Sequence, residues 1–357
     1  MTDGAIGARR AGPPAWAVAV GFGALVVAGL LWAKWAPYWV KVPSVAGSHS
    51  LGSSILTGGA SAPPGVSLSA GLRFAGTYFL AIWPALVVAL VLAAAVQTVL
   101  PSAWLRRVLG RGVSGGVRGG ALALPSLMCT CCAAPIAVGL RRRAADLTAT
   151  LAYWLGNPAL NPVVLVFCAF VLPWEWTLLR AVAGVAVVAA AVVLGRRWAS
   201  RSPTGSVVEE PVVGDAVPDE RPLVVRFLAA LGGLSVRLLP EYLLLVVALG
   251  AFRGVLFPVA APWLTGTGLV LGVLLLAVAG TLLPIPTGAE IAVVAALLAV
   301  GVSGPLAAAL LITLPAVSLP SLLMVRRAFP RRLLVAVTGA VVGIGVLTSV
   351  VALAVGL

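Results

Sequence analysis

Long apolar runs separated by short arginine clusters set the pattern of the chain. They cover residues 15–35, 72–99, 147–172, 178–195, 228–256, 305–325 and 333–356. None alternates with the period of two that marks a barrel strand. Most approach or exceed the roughly 17 to 25 residues that a helix needs to cross a bilayer. Lipid offers backbone groups no partners, so only helices and closed barrels span it. The pattern predicts an all-α polytopic membrane protein with about 8–10 membrane segments.

Two further stretches are apolar but interrupted. Gly120 to Leu140 contains Pro125 and Pro135, and is bounded by Arg118 on one side and Arg141, Arg142 and Arg143 on the other. Basic residues concentrate on the cytoplasmic side of a membrane, so both ends are expected inside. The stretch then reads as a re-entrant hairpin, with one kinked helix as the alternative. The second interrupted stretch, Gly268 to Ser303, contains Leu283-Pro284-Ile285-Pro286-Thr287-Gly288-Ala289-Glu290. Residues 36–70 are rich in Gly, Ser and Pro and are expected to form an external loop, while 198–224, with Glu209, Glu210, Asp215, Asp219 and Glu220, is expected to be a cytoplasmic linker. Four units follow: 1–70, a first helix plus external loop; 71–197, a first repeat; 198–224, the linker; and 225–357, a second repeat with the last helix. Arg9 and Arg10 before the first run resemble a signal peptide, but the run is long and Lys34 follows it, so a retained helix is expected.

A constant shift of 157 residues lays the second half on the first without a gap. Pro158-Ala159 falls on Pro315-Ala316, Asn161 on Ser318, and Thr130 on Thr287. By the arginine count the first unit starts outside and the second inside, so the repeats are expected to be inverted. Broken segments at equivalent positions of inverted halves are a signature of secondary transporters, with the site near the midplane.

Composition narrows the classes. Hydrophobic residues make up 61% and charged residues only 10%, against about a quarter charged in soluble domains. The net charge of +14 lies in clusters between membrane segments, where topology accounts for it, and nucleic acid is not an expected partner. The expected setting is the inner (plasma) membrane, multi-pass, with the lipid bilayer and a small-molecule or metalloid substrate as partners. No cofactor and no resident metal are expected. His49 is the one histidine in the sequence and falls in the expected external loop, which leaves no histidine-based metal site or triad. Gly110-Arg111-Gly112-Val113-Ser114-Gly115 fits G-x-G-x-x-G but opens no βαβ unit, the context that motif requires.

Chemistry concentrates in Cys129-Thr130-Cys131-Cys132. Three thiols within four residues suit a soft, thiophilic centre such as trivalent arsenic, although cysteine also packs as a small hydrophobe. Cys168, alone in an apolar helix, reads as packing. Glu290 lies in an apolar region just after a Pro-x-Pro break, where a carboxylate costs about 2.5–3.5 kcal/mol unless a cavity or partner receives it. Its expected role is coupling. Asn157, Asn161 and Ser318 are polar groups at the breaks, able to bond freed backbone or substrate. Arg237 and Glu241 have the spacing of a helical ion pair.

The stretch Cys129-Thr130-Cys131-Cys132-Ala133-Ala134-Pro135, the break Pro158-Ala159-Leu160-Asn161-Pro162 and the segment Pro315-Ala316-Val317-Ser318-Leu319-Pro320-Ser321 resemble the predicted permeases of the DUF318 type, which include the methylarsenite efflux permeases. The resemblance covers about residues 70–195 and 225–355. It implies a membrane permease and no enzyme, with trivalent organoarsenical efflux for one branch. Thr130 and Cys132 stand where the family motif has Ser and Gly, and the second break has no cysteine. A membrane thiol-disulfide oxidoreductase using the cysteine cluster is the alternative.

Overall fold

The computed structural model describes residues 15–58, 64–201, 221–256 and 268–357, and every regular element among them is helical. In chain order these are α1 (Ala15–Leu30), α2 (Ala36–Ser48), α3 (Leu68–Val99), α4 (Ser102–Leu109), α5 (Gly112–Ala123), α6 (Thr130–Arg142), α7 (Leu147–Ala159), α8 (Pro162–Val171) and α9 (Trp174–Arg201). The second half holds α10 (Leu223–Leu256), α11 (Leu269–Gly280), α12 (Ala289–Ala299), α13 (Gly304–Ala316), α14 (Leu319–Val325) and α15 (Arg331–Ala354). Seven helical stretches among the described residues are long and apolar enough to cross a bilayer. Most of the expected linker, and the signal-like residues at the amino terminus, lie outside the described residues.

One expectation changes. Residues 36–48 are not loop: a π turn over Leu31–Trp35 carries the first helix on into α2, as far as Ser48. The wider turn absorbs Pro37 without ending the helix, and Tyr38, Trp39, Val40 and Val42 continue the apolar surface, with Trp39 and Val40 facing outward.

Local sequence explains the remaining boundaries. Ser67 caps α3 by accepting from the Ala70 N–H, and Asp146 caps α7 by accepting from Thr148 and Ala149. Asn161 caps α8, with Pro162 in the first turn where no donor is needed. Ser318 and Ser321 form a reciprocal cap on α14.

Helices α5 and α6 are 12 and 13 residues long, about 18–20 Å at 1.5 Å per residue, too short for a core of about 30 Å. Arg143, at the end of α6, donates to the Gln97 carbonyl near the end of α3 at 2.6 Å. Arg118 of α5 donates to the Val108 carbonyl of α4, just beyond α3, at 3.0 Å. Both short helices are thus tied to the same end of α3, and the first of them begins eight residues earlier than the sequence pattern suggests, at Gly112.

Small residues let these helices approach closely. A Cβ on Gly119 of α5 would stand 2.0 Å from the Ala149 carbonyl oxygen of α7, and one on Gly71 of α3 would stand 2.5 Å from the Val247 oxygen of α10. Helices α3 and α10 run antiparallel along their length: Gly71 meets Ala251, the Tyr78 and Tyr242 rings lie 6.3 Å apart, and Arg226 donates to the Thr98 carbonyl. Helix bounds repeat at the 157-residue shift, with α5 matching α11 and α7 matching α13 residue for residue.

Candidate functional site

The hairpin tip between α5 and α6 is held from α7. Leu127, fully buried, takes a left-handed backbone with φ 52°, a conformation costly for a bulky residue and tolerated where surroundings enforce it. The next residue is anchored: the Met128 N–H donates to Asn157 Oδ1 at 3.3 Å, while Asn157 Nδ2 donates to the Tyr153 carbonyl at 2.8 Å. Trp154 Nε1 donates to the Thr130 carbonyl at 3.2 Å. These bonds set Cys129 at the N-cap of α6, with Thr130 as its first residue.

The three thiols do not converge on one point. Cys129 and Cys132, three residues apart and so on one face of α6, have their sulfurs 3.2 Å apart. Cys131 points elsewhere, to the Ser318 hydroxyl at 3.2 Å. That contact joins the first break to the cap of α14 in the second. The Tyr78 and Tyr242 side chains of the α3–α10 pair lie beside Cys131, and their buried hydroxyls have no hydrogen-bond partner among the described residues. All four cysteines are free and buried, and Cys168 packs with Val164 and Phe167 in a separate apolar cluster. Among the described residues no group of three or more His, Cys, Asp or Glu is placed to hold a metal ion.

The second break lies against the first. Leu319 N–H donates to the Leu282 carbonyl at 3.1 Å, and Gly288, with φ 87°, supplies the left-handed turn that starts α12. Lys34, buried in the π turn of the first helix, donates to Thr287 Oγ1 at 3.2 Å. Between the breaks, a space lined by Cys129, Pro158, Pro286, Thr287, Glu290 and Pro315 measures about 10 Å³, room for at most one water.

Glu290 is paired. Its Oε1 accepts from Arg180 Nη2 at 2.7 Å, with both side chains essentially inaccessible, while Oε2 has no partner among the described residues. Arg180 also donates to the Leu311 carbonyl at 2.7 Å and to the Pro158 carbonyl at 3.2 Å. The helical donors for those two carbonyls would come from residues 315 and 162, both prolines without an N–H. One guanidinium therefore serves the proline-orphaned carbonyls of both breaks, and Glu290 neutralises it. Arg180 is not among the residues expected from the sequence; the one signal for it is an arginine set inside an apolar helix, away from the basic clusters at the helix ends.

The other candidates have largely backbone duties. Asn161 Oδ1 caps α8, its Nδ2 having no partner among the described residues, and Asn157 holds the hairpin tip. Glu241 binds Arg326, with Arg327 3.9 Å away, partners that the i, i+4 spacing to Arg237 does not show.

Comparison with known proteins bears on the whole chain. The family described as "Predicted permease" matches residues 68–353. The chain is 40% identical to UPF0718 protein YraQ of Escherichia coli (strain K12) over 342 residues, which covers 94% of this chain and 96% of that protein. No solved structure matches.

Proposed function

The chain belongs to the predicted-permease family, and on that premise we propose that it is a secondary transporter whose solute crosses between the two broken segments and meets the Cys129–Cys132 dithiol. One observation carries this reading: the first break's cysteines touch the second break, through Cys131 and Ser318 at 3.2 Å, at the depth where both helices are interrupted. The antiparallel α3–α10 pair, counterparts at the 157-residue shift, supports inverted repeats that alternate access about this point. No G-x-x-x-x-G-K loop occurs in the sequence, so the proposed energy source is an ion gradient, with Glu290 as the coupling group. Exchange of its proton would loosen Arg180 from the two breaks.

A dithiol suits a soft centre with two exchangeable ligands. Monomethylarsenite is such a centre: two As–O bonds break and two As–S bonds form. The two thiol protons leave with the two hydroxides as water. The proposed substrate class is therefore a small trivalent organoarsenical or similar thiophile. The test is survival and efflux in a bacterial host lacking arsenical transporters, challenged with methylarsenite. Wild type should protect, Cys129→Ser/Cys132→Ser should not, and Cys131→Ser should keep part of the protection. Equal protection by all three would overturn the dithiol role.

A second reading rests on the same pair. Cys129 at a helix N-cap and Cys132 at 3.2 Å form a C-x-x-C arrangement, which suits thiol–disulfide exchange. Proteoliposomes separate the two: a permease moves solute with both thiols still titratable afterwards, while an oxidoreductase given a disulfide substrate and no reductant converts both thiols to a disulfide once, the substrate gaining the two thiols.

A further inference from the structure

A solvent-connected vestibule of about 760 Å³ lies above the second break. Its floor is Pro286, Thr287 and Gly288, and Thr287 and Pro286 also line the closed space over Cys129. Four cations border it: Lys34, Lys41, Arg73 and Arg253. No carboxylate lies among the described residues that line it. Arg253 spends its donors on the carbonyls of Leu56, Ala70 and Gly250, at 2.7–2.9 Å, and faces the repulsion of Arg73. Lys34 donates to the neutral Thr287 hydroxyl and sits over the Tyr38 ring, and no carboxylate pairs with it among the described residues. Lys41 lies over the Phe167 ring.

The position makes this cluster unusual. Arg73 is near the start of α3 and Arg253 near the end of α10, at the membrane face opposite the arginine-rich loops. Topology therefore does not account for these charges, since basic residues accumulate on the cytoplasmic side. Concave walls of one sign concentrate ions of the other. The volume falls in the range of about 300–1,000 Å³ that holds small-molecule ligands, well beyond a bare halide.

We propose that this vestibule is a binding station for a small organic anion, held by Lys34, Lys41 and Arg73 at the outer mouth of the pathway. The inference rests on the permease reading only in that the vestibule leads to the break. It does not depend on the thiols. An anion's oxygens are also presented by acidic lipid headgroups, and a free solute is the occupant favoured by a cavity that ends on the break rather than on the lipid-facing surface.

The test uses the full chain in nanodiscs of neutral phosphatidylcholine, at constant ionic strength in chloride, titrated with inorganic sulfate, inorganic phosphate and glutathione while thermal stability and ligand binding are followed. At least one probe should stabilise the protein saturably. Lys41→Gln/Arg73→Gln, at exposed positions where folding is not at stake, should weaken that binding about tenfold or more. Arg106→Gln/Arg107→Gln, at the opposite face, should not. Cys129→Ser/Cys132→Ser should bind the anion as wild type does, which separates failure of this station from failure of the thiol reading. The proposal is overturned if no probe saturates, if Lys41→Gln/Arg73→Gln binds equally well, or if stabilisation appears only when phosphatidylglycerol is added to the nanodisc.

Discussion

Arg180 offers the sharpest test of how the two breaks are held. Replacing Glu290 with Gln keeps the shape and one neutral acceptor, but removes the charge that balances a guanidinium with no exposed surface. That leaves Arg180 as a buried charge without its counter-ion, so Glu290→Gln should cost about 3–5 kcal/mol. Arg180→Leu should cost more, for two separable reasons. It leaves Glu290 as an uncompensated buried charge, about 3–5 kcal/mol, and it strips the Pro158 and Leu311 carbonyls, whose helical donors proline replaces, of the Arg180 donor, about 1–3 kcal/mol each. The double variant Arg180→Leu/Glu290→Leu removes the first cost and keeps the second, so it should be more stable than Arg180→Leu alone yet less stable than wild type. Thermal unfolding in detergent, followed by loss of the monodisperse peak, ranks the four proteins. On the order of 2 °C per kcal/mol places Glu290→Gln about 6–10 °C below wild type and Arg180→Leu about 10–22 °C below it. If Arg180→Leu proves no worse than Glu290→Gln, the bridging of both breaks by one side chain is refuted. If Glu290→Gln transports with wild-type pH dependence, its coupling role falls while the structural one stands.

Two smaller changes probe the packing that positions the thiols. Asn157→Leu should cost about 1–3 kcal/mol by leaving the buried Met128 N–H unpaired, and it should raise the labelling rate of Cys129 by a membrane-permeant maleimide as the hairpin tip loosens; unchanged labelling would count against the anchor. Gly119→Ala should abolish the folded species in size-exclusion chromatography, because its Cβ meets backbone at 2.0 Å, whereas Gly76→Ala, with nothing within 4 Å, should leave the profile as wild type.

Much of this architecture is local and so visible along the chain. Apolar runs of bilayer length, prolines at fixed spacing and arginine clusters act through hydropathy and backbone chemistry that each segment carries by itself, which is why the breaks and the 157-residue correspondence are legible. The end of the first helix was misjudged because Pro37 and Pro43 read as loop signals, whereas a π turn accommodates the first and the lipid-facing apolar surface carries the helix on to Ser48. The site divides along the same line. The sequence by itself determined which residue types stand at each break: the cysteines and Thr130 at one, Thr287, Gly288 and Glu290 at the other. Only the tertiary structure decided that Cys129 pairs with Cys132 while Cys131 faces Ser318, that Tyr78 and Tyr242 close over it, and that Arg180 joins Glu290 to both orphaned carbonyls. Those contacts link residues as much as 187 apart in the chain, and their partners are set by how helices cross in space, a relation that no spacing within one helix encodes.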